Sequence, residues 1–212
     1  MSYVRRGRLP RLLILVALAC LPITGFAATL SEADGRDVAR VEAYLNTFSS
    51  LKARFLQQSS SGQLAEGWLY LSRPDRVRLD YLPPTALQIY AKGYWLVYVD
   101  TEMEEITHVP LKSTPAGFLV RDRVRLSGDI SVVQVDRNVG ALRLHVVQTE
   151  EPEAGRVILT LQISPLRLSH WTVIDAQGIE TRVSLLDTQF NVKLDDKLFE
   201  FDSRMFGEPE FH

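Results

Sequence analysis

After one helical stretch near its start, this chain alternates apolar and polar residues at every second position almost to its end. Successive side chains of a strand point to opposite faces of a sheet, so this pattern predicts β-structure. Turn residues separate the runs at positions 59–62, 92–93, 137–140, 150–155 and 175–178. Their spacing predicts about ten or eleven short strands. A helix followed by such a meander, interrupted by one short helix, predicts an α+β fold built on a single antiparallel sheet.

The predicted long helix begins near Ser31, a good N-cap residue with Asp34 three positions later. Apolar residues then recur at helical spacing, at Val38, Val41, Leu45 and Phe48. One face of this helix must therefore pack against the rest of the domain.

Residues 76–81 alternate charged and apolar side chains without a slip, which predicts a strand with one apolar face. The preceding strand, residues 67–73, continues that face. An apolar face this long cannot stay open to water, so the sheet must curl and be covered. We predict that its cavity is lined by Leu69, Leu71, Val77, Leu79, Tyr81 and Ile89.

Arg73 is the charged residue on this apolar face. A guanidinium group directed toward an apolar interior needs acceptors, such as carboxylates or the free carbonyls at a helix C-terminus. The alternative is an arginine at a strand end whose head reaches solvent and has no special role.

Thr114 and Pro115 form a start signal for a short helix over residues 114–120. Gly117 and the short length make that helix weak. With Phe118 and Leu119 it is either a movable cover for the cavity or an ordinary connector that fills the end of the core.

Residues 1–27 have the pattern of an export signal: four arginines, an apolar core over residues 12–21, and small residues before a cleavage site after Ala27. The alternative, an uncleaved anchor, needs about 20 apolar residues, and Pro22 and Gly25 interrupt the run. Cleavage leaves one domain, residues 28–212, expected in the periplasm. The only cysteine, Cys20, lies in the signal, so the domain would have neither disulfides nor thiolate chemistry.

Removal of the signal changes the formal net charge from −2 to −6, because it takes away four arginines and no acidic residue. An acidic chain without a basic stripe is not expected to bind nucleic acid. Nucleophile elbows, zinc-protease motifs and glycine-rich phosphate loops are missing from the sequence, and its four histidines are far apart. We therefore expect no enzymatic activity, no metal and no cofactor.

Several short motifs follow one another along the chain from about residue 41 to residue 201. They are Phe55-x-Gln57, the strand from Gly67 ending in Arg73-Pro74, Asp80-Tyr81-x-x-Pro84, Tyr98-x-Asp100, Thr114-Pro115, Asp175-x-x-Gly178 and Phe199-x-Phe201. Their order behind an export signal resembles that of the LolA-type periplasmic lipoprotein carriers.

This resemblance implies an incomplete antiparallel β-barrel of about eleven strands, covered by a helical lid. Its cavity would hold the acyl chains of lipoproteins, with Phe118 and Leu119 contributing from the lid. The lid would be held shut by Arg73 through backbone carbonyls, with Thr114 and Pro115 at the start of the lid helix. The implied partners are acylated lipoproteins, an inner-membrane lipoprotein-releasing transporter and an outer-membrane lipoprotein acceptor, and the carrier is expected to be a monomer.

The same half-barrel also occurs in two other kinds of protein. One is an outer-membrane lipoprotein acceptor, which would require acylation at Cys20. The residues around Cys20 do not follow the order of a lipoprotein processing site. The other is a lipoprotein-sensing envelope regulator with a fused second domain, for which 185 residues leave little room.

Overall fold

The computed structural model describes residues 30–201. The predicted signal segment, Cys20 and residues 202–212 lie outside that range. The helix α1 spans Glu32–Leu45. The strands are β1 (Ser50–Ser59), β2 (Leu64–Ser72), β3 (Arg76–Tyr81), β4 (Leu87–Lys92), β5 (Trp95–Asp100), β6 (Glu105–Pro110), β7 (Ile130–Asn138), β8 (Ala141–Gln148), β9 (Gly155–Ile163), β10 (Leu166–Asp175) and β11 (Glu180–Phe190).

All eleven strands belong to one antiparallel sheet in the order β6-β5-β4-β3-β2-β1-β11-β10-β9-β8-β7. Two meanders, β1 to β6 and β7 to β11, are joined where β1 pairs with β11. The strands β6 and β7 form the two edges, so the curled sheet is an incomplete antiparallel β-barrel. This confirms the predicted fold class and strand number.

Local sequence accounts for most element boundaries. Ser31 and Asp34 form a reciprocal capping box at the start of α1, in which each side chain satisfies the other residue's backbone N–H. Gly93 and Gly140 adopt φ values of 75°, and each closes a tight hairpin that a side chain would strain.

The hydrophobic core lies on the concave face of the sheet, where alternate residues of both meanders meet. The helix α1 contributes Val41 and Leu45, both fully buried. On the opposite face, the segment after β11 crosses β3 and β4, and the Arg78 guanidinium donates to the Leu198 carbonyl at 3.0 Å. The buried ring of Phe199 anchors this segment.

The helix predicted to begin at Thr114 does not form. Two 3-10 turns take its place, at Leu111–Ser113 and Gly117–Val120, and Thr114 follows the first turn with extended backbone. The Thr114 hydroxyl donates to the Leu111 carbonyl at 2.7 Å instead of capping a helix. A Cβ at Gly117 would lie 2.3 Å from the same oxygen, so the chain folds back too tightly for a continuous helix.

Among residues 30–201, no helix is both long enough and apolar enough to span a membrane.

Candidate functional site

The concave face encloses a cavity of about 260 Å³ between the sheet and the segments that cover it. Its wall is mostly aliphatic, and Arg73 is the only charged residue that lines it within the described range. The wall residues come from β1 to β5, β10, β11, the end of α1 and the segment after β6. Those outside the predicted set include Leu45, Phe48, Leu51, Leu96, Tyr98, Leu111, Trp171, Val183 and Leu185.

Seven of the eight residues predicted to contact lipid line this cavity: Leu69, Leu71, Val77, Leu79, Tyr81, Ile89 and Leu119. Phe118 does not. Its side chain is only 2% exposed, but it borders a separate depression beside Pro110 and Ile130. The reason is the 3-10 turn, because neighbouring residues of so short a turn point in different directions. Thr114 and Pro115 lie in the cavity wall and make no hydrogen bond to Arg73.

Two segments cover the cavity, and we call them together the lid: α1 with its C-terminal turn, and residues 111–126. They are fastened to each other by polar contacts. The Asn46 side chain donates to the Val124 carbonyl at 2.9 Å and accepts from the Val124 N–H at 3.0 Å. The Leu126 N–H donates to the Glu42 carboxylate at 2.8 Å. The two segments are therefore bound to each other by three hydrogen bonds.

Arg73 joins both parts of the lid to the sheet, and its side chain is 7% exposed. Its Nη1 donates to the carbonyls of Leu45 at 2.5 Å and Phe48 at 2.8 Å, at the C-terminal end of α1. Its Nε and Nη2 donate to the Leu119 carbonyl at 3.1 and 3.0 Å. The guanidinium also lies 4.8 Å from the centre of the Phe48 ring. Four of its five N–H donors are thus satisfied by lid atoms.

Burial lowers the pKa of Arg73 to about 10, and nearby Asp122 partly opposes this effect. The guanidinium remains protonated at neutral pH. Because the acceptors are carbonyl dipoles and not a carboxylate, the charge is only partly compensated. The hydrogen bonds from Arg73 to the covering segments are therefore offset in part by the cost of removing its charge from water.

The N-terminal end of α1 is held separately. Arg137, at the β7 end of the sheet, pairs with Asp34 at 2.7 Å and with Asp37 at 2.7 Å. Hydrogen bonds from Ser31 and Arg137 lower the pKa of Asp34 to about 2. This end of the lid is attached to the opposite meander from the one that carries Arg73.

The second polar region of the cavity wall lies away from Arg73. The Tyr81 hydroxyl donates to the Gln57 side-chain oxygen at 2.7 Å, and the Tyr81 ring packs edge-on against Phe55 at 5.0 Å. Burial raises the pKa of Tyr81 to about 12, with a further contribution from neighbouring Tyr98. Gly67 allows this packing, since a Cβ there would lie 2.8 Å from the Phe55 ring.

Sequence reasoning did not assign a role to Gln57, Tyr98 or Trp171. It did name carbonyls at a helix C-terminus as possible acceptors for Arg73, and those of Leu45 and Phe48 accept from it. Gln57 and Tyr98 do belong to the motifs behind the family resemblance, which was the available signal. The only sequence signal for Trp171 was its position in a strand of alternating residues. The Leu119 carbonyl carried no sequence signal.

In the part of the chain that the structure describes, no group of three or more His, Cys, Asp and Glu residues could hold a metal ion. His145 is buried on β8, and its Nε2 lies 2.9 Å from the Asp136 carboxylate. This pair lies outside the wall of the cavity.

Comparison with known proteins places the chain in a family. The family profile described as "Outer membrane lipoprotein carrier protein LolA" matches residues 46–202. The "Outer-membrane lipoprotein carrier protein" of Methylococcus capsulatus is 28% identical over 200 residues, covering 90% of this chain and 92% of the relative. Its namesake from Alkalilimnicola ehrlichii is 29% identical over 180 residues, covering 82% and 76%. The crystal structure of a LolA superfamily protein from Nitrosomonas europaea superposes with a TM-score of 0.48 at 12% identity, covering 78% of this chain and 97% of that chain. Because the profile matches well over half of its 212 residues, the chain belongs to the outer membrane lipoprotein carrier protein LolA family.

Proposed function

We propose that this protein is a periplasmic carrier that holds the acyl chains of lipoproteins in its cavity and moves them from the inner to the outer membrane. The observation that carries the proposal is an apolar cavity whose two covering segments both accept hydrogen bonds from one buried arginine. A storage cavity needs an apolar wall, and a carrier also needs a way to open.

The size of the closed cavity supports an opening step. About 260 Å³ lies just below the range of about 300–1,000 Å³ that holds one drug-sized ligand. A lipoprotein carries several acyl chains, which together need more room. Loading therefore requires the lid to move away from the sheet, and the contacts of Arg73 with Leu45, Phe48 and Leu119 are among those that must break.

The energetics of transfer also suit a carrier. Burial of one methylene group from water gains about 0.8 kcal/mol, so several acyl chains would exceed the practical limit of noncovalent affinity, near 20 kcal/mol. Cargo that moves between a membrane and this cavity exchanges one apolar environment for another. The net difference is then small, and release to the next acceptor remains possible.

In this proposal the export signal of residues 1–27 directs the chain to the periplasm. There an inner-membrane lipoprotein-releasing transporter would load it, and an outer-membrane lipoprotein acceptor would unload it. The protein would act as a monomer and without catalysis, since the cavity contributes only packing and a latch. Seven relatives match this chain, and those named above carry the description of lipoprotein carrier.

The direct test is to purify the protein from its export compartment and identify bound molecules by mass spectrometry. We expect acylated lipoproteins or acyl lipid. Purified empty protein should also extract lipoproteins from inner-membrane vesicles. Repeated isolation of empty protein that also fails to extract them would contradict the proposal.

A labelling experiment separates the carrier from an acceptor anchored at Cys20. Cells that express the chain are grown with radioactive palmitate. We expect no label in the protein, because the carrier loses Cys20 with its signal. Incorporation that disappears in Cys20→Ser would favour the acceptor.

A further inference from the structure

The polar side chains of the cavity wall fall into two separate groups. Arg73 lies just beyond the end of β2, whereas Tyr81 pairs with Gly67 on the same strand. Arg73 is six positions after Gly67 in the chain, and an extended backbone of that length spans about 20 Å at 3.3 Å per residue. Gln57 lies next to Tyr81, from which it accepts a hydrogen bond. Tyr98 lines the same cavity, and its partner Ile89 pairs with Leu79, two positions from Tyr81 on the same strand. We call Gln57, Tyr81 and Tyr98 the polar cluster.

The polar cluster offers hydrogen-bond donors that the protein does not use. Tyr81 donates to the Gln57 oxygen, which orients the amide so that its NH₂ group is directed elsewhere. Within residues 30–201, that NH₂ group and the Tyr98 hydroxyl have no protein partner; both residues line the cavity, and neither atom is buried, so both are accessible to a ligand that enters it. An apolar cavity has no need of such groups, because each polar group costs free energy when cargo without an acceptor covers it.

The chemistry of these donors limits which kind of ligand atom can accept a hydrogen bond from them. No lysine, arginine or histidine lines this end of the cavity within the described range. Both tyrosines stay protonated at neutral pH, because burial raises their pKa values. Neutral O–H and N–H donors suit an uncharged carbonyl oxygen, whereas a buried phosphate or carboxylate would need a cation. Arg73 lies away from this end of the cavity, and in the closed state four of its five N–H donors are taken by lid carbonyls.

We propose that Gln57 and Tyr98 form a binding site for the uncharged ester or amide carbonyls that join acyl chains to the head of the cargo. This inference rests on the proposed carrier function. Such a site would fix how deeply the acyl chains enter the cavity. It would also distinguish ester- or amide-linked acyl groups from lipids of equal chain length that lack the carbonyl.

The test compares two neutral lipids, 1,2-dioctanoylglycerol and its ether analogue 1,2-dioctylglycerol, as competitors of an apolar fluorescent probe bound to the empty protein. A purely apolar cavity would favour the ether, because carbonyl groups are better solvated by water. We expect the opposite, with the ester binding about tenfold more tightly, as one or two neutral hydrogen bonds would produce. Tyr98→Phe and Gln57→Leu should each reduce this ratio and leave ether binding within about twofold. Tyr94→Phe, at an exposed tyrosine outside the cavity, should change neither.

Three results would count against the inference. If wild-type protein binds ester and ether equally, or favours the ether, the carbonyl site does not exist while the carrier proposal stands. If the ester preference persists in both variants, other groups provide it. If neither lipid displaces the probe, the carrier proposal itself fails and this inference with it. The comparison on wild-type protein needs no variant to fold, and Tyr98→Phe removes a single oxygen atom.

Discussion

Replacement of Arg73 by leucine tests how the lid is held. Arg73 donates to three lid carbonyls, those of Leu45, Phe48 and Leu119. All of these hydrogen bonds belong to the closed state. Arg73→Leu removes them and removes little of the apolar wall, so it should raise the population of open protein. Cargo loading should persist or strengthen, and delivery should fail, because lid closure no longer helps to expel the cargo.

The magnitude follows from the contacts. Hydrogen bonds from a charged donor contribute about 1.5–3 kcal/mol each, which gives about 4–9 kcal/mol for three acceptors. Burial opposes this, since a pKa lowered from 12.5 to about 10 corresponds to about 3 kcal/mol. The remaining bias toward closure is about 1–6 kcal/mol, or about 5-fold to 20,000-fold in the ratio of closed to open lid.

The assay measures two steps with radiolabelled lipoprotein: uptake from inner-membrane vesicles and delivery to outer-membrane vesicles. We expect Arg73→Leu to take up cargo at least as well as wild type and to deliver it at least about fivefold more slowly. Arg73→Lys should restore delivery only in part, because an ammonium group lacks the planar fork that reaches several carbonyls. Arg121→Leu is the matched control, since Arg121 also lies in the lid but pairs with exposed Asp129. Normal uptake and normal delivery by Arg73→Leu would refute the latch.

Three further predictions concern the wall, the packing and the pH dependence. Leu79→Glu should abolish lipoprotein binding in a pull-down while the domain stays folded, and Leu79→Met should bind normally; undiminished binding by the glutamate variant would show that this face does not contact cargo. Gly67→Ala should lower the free energy of unfolding by about 1–3 kcal/mol, because its Cβ would lie 2.1 Å from a carbonyl oxygen of β3. Gly35→Ala, in α1 with open space around it, should instead raise the free energy of unfolding by about 0.5–1 kcal/mol. Denaturant titrations that find Gly67→Ala more stable than Gly35→Ala would contradict both expectations. Asp34 has a pKa lowered from 3.8 to about 2 in the folded protein, so its stabilising effect is complete above about pH 4 and disappears as the pH falls through 2. Asp34→Asn should therefore melt below wild type at pH 7, and the two melting temperatures should converge near pH 2; a constant difference would rule out this ionisation as the cause.

Features that depend on near neighbours in the chain were predictable from the sequence. The capping box of Ser31 and Asp34, the alternation of residues 76–81 and the turn glycines each follow from short-range geometry. Strand periodicity also assigned six residues of the cavity wall, because every second residue of a strand must face the same side. Leu69, Leu79 and Ile89 share one register across β2, β3 and β4, as that rule requires.

Features that depend on long-range closure required the tertiary structure. The start signal at Thr114 was overruled, because the chain folds back against Leu111 at Gly117 and leaves room only for 3-10 turns. Phe118 consequently points away from the cavity. A charged side chain on an apolar face indicates that hydrogen-bond acceptors must lie nearby. For Arg73 these acceptors are backbone carbonyls 25 to 46 positions away in the sequence. The sequence by itself determined which residues share a face, since that is a property of the extended backbone. Only the closed fold decided which lid atoms meet that face, because side-chain type does not encode the position of a distant carbonyl.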